Sequence, residues 1–354
     1  MAAAVLHDEL MAIASEHDID KVGVCSADVF VDVRDALHER KAAGLSADMQ
    51  FTYRNPDRAT DPRRSLANAE TIVVCARSYR RARPERVPGP TGDAEIAEYV
   101  WEPHYAELRM GLDAIATHLR EAGWSARVLM DDNALVDRAA AYRAGIGWWG
   151  KNSNILIPGI GSKFVLGSVV TSAPLEVVDE PLDDQCGPCR RCIDGCPTNA
   201  IVDDGVIDSN RCLAWLVQSP GSFPMEFRKA LGGRIYGCDD CQTSCPPNVV
   251  SDRQVPPVLT TGTVAVAVAE ILRCSDDELL DRFGAWYIPR REPRYLRRNA
   301  LVVLGNVGDS ASSEVRSLVE QYVASDDEVE SEHARWAAEQ LGYDYLLERG
   351  GASK

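Results

Sequence analysis

The spacing of apolar and polar positions changes repeatedly over the first 180 residues. Residues 6–16 place their apolar side chains at helical intervals, and Asp20-Lys-Val-Gly-Val-Cys25 then shortens to a strand. Residues 31–43 are again helical and are closed by Gly44. Thr71-Ile-Val-Val-Cys75-Ala76 is an unbroken apolar run, the pattern of a buried strand. Residues 81–93 are rich in Pro, Gly and Arg and predict a loop. A helix over 105–122, a strand over 124–130, a helix over 135–144 and a strand over 164–171 complete the alternation. Past residue 260 the period is helical. Ser275-Asp-Asp-Glu278 is a capping box opening a helix through Phe283, and residues 295–304, 313–323 and 333–341 are three more helical blocks.

This pattern predicts an α/β (α+β) layer with its own core over 1–178, a short cysteine-rich domain over 179–260 and an α-helical domain over 261–354. The stretch from Arg298 to Gly308 recurs loosely from His333 to Gly342, so the last domain resembles a HEAT-like helix repeat, with a plain helical bundle as the alternative. The chain has 354 residues, 45% of them hydrophobic, and no long uncharged apolar run, so no membrane span is expected. Its first twenty residues lack a basic region before an apolar stretch, and the twin-arginine export pattern is missing. Together with its many thiols, this predicts a reducing cytoplasm.

The cysteines carry the clearest chemistry. Cys186-x2-Cys189-x2-Cys192-x3-Cys196-Pro197 is the bacterial ferredoxin spacing, in which three thiolates wrap one iron–sulfur cubane and the fourth serves a neighbouring one. Cys238-x2-Cys241-x3-Cys245-Pro246 has the same spacings with one cysteine fewer, and Cys212 can supply it. The crossed logic gives one [4Fe-4S] cluster to Cys186, Cys189, Cys192 and Cys245, and a second to Cys196, Cys212, Cys238 and Cys241. Zinc, which also uses paired C-x2-C sets, is the competing reading, although it has no use for the crossed C-x3-C-P. A radical-SAM order is absent, because Asn248 stands where its last cysteine would be. Cys25 and Cys75 lie in apolar strands and read as packing residues. Cys274 has no assigned role.

Two further features could face a ligand. Met130-Asp131-Asp132-Asn133 follows a strand and precedes a helix, so its acids either cap the helix or face a site. Ala144-Gly145-Ile-Gly147-Trp-Trp149-Gly150-Lys151-Asn152 follows, with glycines that allow close backbone approach or simply make a turn. The net charge of −16 opposes non-specific nucleic-acid binding, yet two basic stretches, Arg77 to Arg86 and Arg290 to Arg298, leave room for a local phosphate contact.

The order Asp131, Leu135-Val136-Asp137-Arg138, Gly147, Gly150-Lys151-Asn152, the cysteine run, Arg211-Cys212 and Gly237-Cys238-Asp239-Asp240-Cys241-Gln242 resembles the epoxyqueuosine reductase family from about Lys21 to Leu341. The resemblance implies a cobalamin-dependent iron–sulfur oxidoreductase that removes the epoxide oxygen of epoxyqueuosine at the wobble position of tRNA anticodons. It implies Asp131 as proton donor, with Asp132 beside it as the substitute. Arg58, Asp131, Lys151, Asn152, Ile155, Leu166, Leu213 and Asp239 would contact the cobalamin. Arg290, Arg291, Arg294, Arg297 and Arg298 would meet tRNA phosphates, with the acidic run Asp326 to Glu332 facing away. A reduced ferredoxin or flavodoxin would supply electrons to a monomer. The family's Asp-Tyr-His near the long helix is here Pro103-His104-Tyr105. Two rival readings are a cytoplasmic reductive-dehalogenase-like cobalamin enzyme acting on small molecules and a non-enzymatic two-cluster electron carrier.

Overall fold

The computed structural model describes residues 3–177 and 180–348, which fall into two compact units. The first comprises residues 1–82, 102–210 and 240–258; the second comprises 83–101, 211–239 and 259–354. Each unit is therefore discontinuous, and the boundaries cut across the three consecutive blocks expected from sequence. The strands are β1 (Lys21–Ser26), β2 (Thr71–Ser78), β3 (Asp93–Ile96), β4 (Ala126–Leu129), β5 (Trp148–Trp149), β6 (Ile155–Leu156), β7 (Phe164–Thr171), β8 (Ile201–Asp203), β9 (Val206–Ile207), β10 (Arg234–Tyr236) and β11 (Ala265–Ala267). No helix among the described residues is long and apolar enough to cross a membrane.

The first unit is built on a four-stranded sheet ordered β1-β2-β7-β4, antiparallel throughout. The apolar runs of β2 and β7 are continuous because both faces of these central strands are covered. On one face lies the helix His104–Glu121, which turns Leu108, Leu112, Ile115 and Leu119 into the core. It packs close over Gly167, where a Cβ would stand 2.5 Å from the Leu112 side chain. On the other face Ile72, Val74, Ala76, Leu166 and Val170 join Leu135, Ala139, Ala140, Ile155 and Ile157 in one apolar cluster. That face receives the short helix Asp137–Arg143 and the β5–β6 hairpin. Cys25 and Cys75 are buried in these strands, and burial pushes the Cys75 thiol up to about 12, which makes it chemically inert.

The second unit has a three-stranded sheet ordered β10-β3-β11, with β3 parallel to β10 and antiparallel to β11. Its middle strand lies just after the stretch expected to be a loop. Asp-Ala-Glu-Ile is short and lacks the β-branched alternation that would mark it. The helix Arg294–Val307 is buried along most of its length and packs on Glu328–Leu341, which also meets Ser313–Val323. The capping box at Ser275 and Glu278 forms as expected. The helix expected from 333 begins five residues earlier, because the Asp327 carboxylate accepts the backbone N–H groups of Val329 and Glu330.

Candidate functional site

The first cysteine set is assembled within the first unit. A turn closed by the Cys189 N–H on the Cys186 carbonyl leads into the one-turn helix Arg191–Asp194, which carries the buried Cys192. That helix packs on Asp240–Thr243, and Cys245 follows as the N-cap of Pro246–Gln254. Cys245 is 6% exposed, and its thiol is pushed up to about 12 by burial and by the neighbouring Cys192, Cys186 and Cys189. Burial and Cys186 likewise raise Cys192. The four thiols grouped from their spacing are thus electrostatic neighbours, the condition a thiolate-held cation cluster relieves. Trp148 and Leu156 pack on Cys245, with Cys186 beside them, and the buried Trp148 indole N–H has no acceptor among the described residues. A cluster sulfide would suit that donor, so the residues fit an iron–sulfur group.

Of the second set, Cys196 and Cys241 belong to the first unit and Cys212 and Cys238 to the second. The Ala200 N–H donates to Cys196 Sγ at 3.2 Å, a contact of the kind that tunes cluster potentials. Asn248, which displaces the last radical-SAM cysteine, is buried: its carboxamide accepts the Ser162 N–H at 2.7 Å and donates to the Gln242 carbonyl at 2.7 Å. Among the described residues no three His, Cys, Asp or Glu side chains gather around a point suited to a single metal ion.

The acid turn sits at the end of β4. Asp131 has φ 49°, a left-handed conformation that Asp tolerates better than most residues. Asp132 does not cap a helix. Its carboxylate accepts the Ala134 N–H at 2.8 Å, so the chain runs on to Val136, whose N–H donates to the Ala59 carbonyl at 3.0 Å, and the helix starts only at Asp137. Asp131 is therefore the acid left available. Much of the residue is accessible, but protein atoms crowd its carboxyl. That desolvation, with the Asp132 charge added, raises its pKa above the usual carboxylate range.

The other expected contacts divide. Arg58 lies on the one-turn helix Pro56–Ala59, fastened to the acid turn through Ala59. It is exposed and forms no ion pair among the described residues. That suits a polar ligand beside Asp131. Ile155 and Leu166 are buried in the cluster beneath this face, so they can offer only an apolar floor. Lys151 pairs with Asp204 at 3.0 Å, an interaction that raises its pKa. The Asn152 carboxamide is buried, donating to the Cys241 carbonyl at 3.3 Å and accepting the Asn154 N–H at 3.3 Å. Both tie the hairpin to its surroundings. Gly147 is likewise demanded by the hairpin itself, since a Cβ there would stand 2.4 Å from the Leu156 carbonyl oxygen. In the second unit Leu213 is buried in the core and Asp239 accepts the Glu98 N–H at 2.7 Å. Gly237, before Cys238, has φ 74° and would place a Cβ 2.5 Å from Ala97, so only glycine fits the motif there. His104 starts the long helix and is buried beside Tyr79, with a pKa lowered by burial.

The basic stretches are largely neutralised from within. Arg77 pairs with Glu107, Arg80 with Asp252, Arg81 with Glu102, Arg83 with Glu95 and Arg86 with Asp93. In the second stretch Arg294 pairs with Glu292 and Asp327, and Arg297 with Asp276 and Glu330. The acidic run 326–332 thus turns partly inward, with Glu330 buried, rather than facing away. Arg298 is 0% exposed, and its guanidinium donates to the carbonyls of Ser219, Gly221 and Leu216 at 2.7, 2.8 and 3.1 Å. Burial lowers its pKa to about 9. It holds a buried loop and cannot also serve a phosphate, which corrects the sequence expectation. Arg298→Ala should cost at least about 3 kcal/mol of stability, because several buried acceptors lose their donor. Denaturant unfolding would measure the loss, and the remaining folded protein should bind RNA unchanged. Only Arg290 and Arg291 keep exposed guanidiniums without a carboxylate among the described residues. Both have positive φ, 53° and 56°, beside the exposed Tyr287. Asp137 opens the helix after the turn, where sequence alone assigns it no role, because an acid in a first helical turn usually just complements the helix dipole.

Comparison with known proteins bears on all of this. Residues 185–248 match the model of the 4Fe-4S double cluster binding domain, which replaces the zinc reading. An epoxyqueuosine reductase of Lactococcus garvieae is 32% identical over 348 residues, covering 95% of this chain and 96% of its own. One from Bacillus anthracis is 31% identical over 316 residues, covering 87% and 82%. A crystal structure of epoxyqueuosine reductase with a tRNA-Tyr epoxyqueuosine-modified stem loop superposes with a TM-score of 0.89 at 28% identity, covering 99% of this chain and 95% of that one. The structure of the Streptococcus thermophilus epoxyqueuosine reductase gives 0.86 at 27% identity, covering 98% and 94%.

Proposed function

The chain belongs to the epoxyqueuosine reductase family, and from that membership we propose that it reduces epoxyqueuosine to queuosine at the wobble position of tRNA anticodons. The observation that carries this is the likeness along 99% of the chain to a reductase holding an epoxyqueuosine-modified stem loop. Cys186, Cys189, Cys192 and Cys245 hold one [4Fe-4S] cluster, and Cys196, Cys212, Cys238 and Cys241 hold the other. A reduced ferredoxin or flavodoxin feeds them in the cytoplasm, where the protein works as a monomer.

Arg58 would meet the polar groups of cobalamin beside the acid turn and Ile155 and Leu166 would offer it apolar contact, and the family resemblance adds Leu213 and Asp239 to the residues that would hold it. When bound, it supplies a low-potential metal centre that delivers electrons to the epoxide. The protein's own residues do the rest. Lys151 and Asn152 keep the hairpin fixed through Asp204 and Cys241. Asp131 keeps its proton at neutral pH more readily than an ordinary aspartate and gives it to the leaving epoxide oxygen. Asp132 holds the turn that aims it. The modified base leaves its stack to reach that acid.

The helical part beyond residue 261, which we read as HEAT-like, contributes Arg290 and Arg291 to phosphates of the stem loop. Both arginines are exposed and sit in a left-handed conformation, and the Arg291 guanidinium donates to the Gly284 carbonyl at 3.3 Å, which leaves its other N–H groups for a phosphate. Arg290→Ala and Arg291→Ala should each weaken stem-loop binding and lower its salt dependence by about one counterion. Titrations at several salt concentrations would measure both; unchanged slopes would remove these residues from the interface. The function itself is tested by anaerobic turnover of an epoxyqueuosine-bearing stem loop by protein loaded with clusters and cobalamin. Loss of one oxygen from the nucleoside, seen by mass spectrometry, is expected. No product from fully loaded protein would overturn the proposal.

A further inference from the structure

Removing an epoxide oxygen as water, with a carbon–carbon double bond left behind, consumes two electrons and two protons. Asp131 covers one proton. Resting on the function proposed above, we propose that Asp137 is the second proton store: it keeps a proton behind Asp131 and hands it to the Asp131 carboxylate after the first transfer.

The geometry comes from the turn. Asp131 and Asp137 stand at its two ends, and its middle is fixed by the Asp132–Ala134 and Val136–Ala59 hydrogen bonds. Asp137 opens the helix packed on β2 and β7, which bring apolar side chains and the uncharged Ser168 to that face. The residue as a whole is half-buried, but its Oδ1 is buried and has no hydrogen-bond partner among the described residues. A carboxylate in that position would be expensive, whereas a neutral acid is tolerated. Burial and the charges of Asp131 and Asp132 raise the pKa of Asp137 well above the usual value, opposed by Arg138 and by the Asp131 N–H. An acid serving only the helix dipole would be a solvated carboxylate instead.

The step balances. Asp131 protonates the epoxide oxygen as its carbon bond breaks and becomes a carboxylate. Asp137 returns a proton to it, and Asp131 delivers that second proton as the remaining carbon–oxygen bond breaks and water leaves. The two electrons come from the reduced donor through the clusters. Both acids are then carboxylates, and solvent returns one proton to each.

The test is Asp137→Asn in the loaded holoenzyme, with Asp137→Glu as the conservative partner. For the asparagine variant, kcat should fall 10-fold or more with KM for the stem loop unchanged. Its alkaline decline should move to lower pH, because Asp131 must then be reprotonated from solvent. Added imidazole should restore the variant while leaving the wild type unaffected, and glutamate should recover most of the rate. Independently of turnover, the infrared spectrum of the wild-type holoenzyme at neutral pH should contain a protonated-carboxyl C=O band that is absent from the asparagine variant. An unchanged kcat and pH profile in the folded variant, or no such band, would overturn the inference. If the asparagine variant does not fold, the glutamate variant's pH profile and the wild-type band decide. If the wild type itself reduces no epoxyqueuosine, the functional reading fails, while the band still judges Asp137.

Discussion

Replacing Asp131 by asparagine is expected to lower turnover of an epoxyqueuosine-bearing stem loop by about 10²–10⁴-fold, the usual range for removing a positioned general acid. Stem-loop affinity and iron content should stay as they are. Asparagine is the right replacement for a backbone reason. At φ 49° alanine would bring local strain that could move the whole turn, whereas asparagine accepts this conformation nearly as well as aspartate. The variant therefore removes the proton and little else. The wild-type enzyme should work at low and neutral pH and decline as pH rises through the Asp131 pKa, which burial and Asp132 place above an ordinary carboxylate's. The variant should lose this limb. Single-turnover assays with the reduced holoenzyme would check both points, and near wild-type turnover by Asp131→Asn would exclude it as proton donor.

Cys245→Ala should be as damaging by a different route. Iron should fall from about eight to about four per chain, since one of two four-iron clusters loses a ligand, and reduction should stop because the electron path is cut. Cys245 is suited to this test because it is the most buried member of its set, packed on Trp148 and Leu156, where solvent cannot readily offer a substitute ligand. Its thiol holds its proton up to about 12 without iron, so loading must expel that proton. Cluster reconstitution of the wild type should accordingly run faster as pH rises. Cys274→Ser is the control, because Cys274 packs at the edge of the second unit's core and has no partner spacing. Full iron in Cys245→Ala would break the ligand grouping.

The 4Fe-4S double cluster domain was legible because its information is local: spacings of two and three residues put thiols on consecutive turns whatever the rest of the chain does. Both central strands of the first sheet were equally plain, since burial on two faces leaves an unbroken apolar run. What could not be read was burial of charged residues. Arg298 lies in the same string of arginines as Arg290, yet one is enclosed by carbonyls and the other is exposed. Only the fold sets them apart. The acid turn was half legible. Its two adjacent acids stood out, but an Asx turn and a helix cap use the same residues, and the choice depended on Ala59 taking the Val136 N–H. β3 was missed because four residues with one isoleucine carry almost no period.

That strand has a wider consequence. It occupies the middle of its sheet, yet it is encoded more than a hundred residues before either neighbour. The C-terminal helices consequently are not a cassette that gene fusion could append or delete. A ribosome must emit residues 93–96 long before their partners exist, and any splice that separates them leaves two orphaned edges.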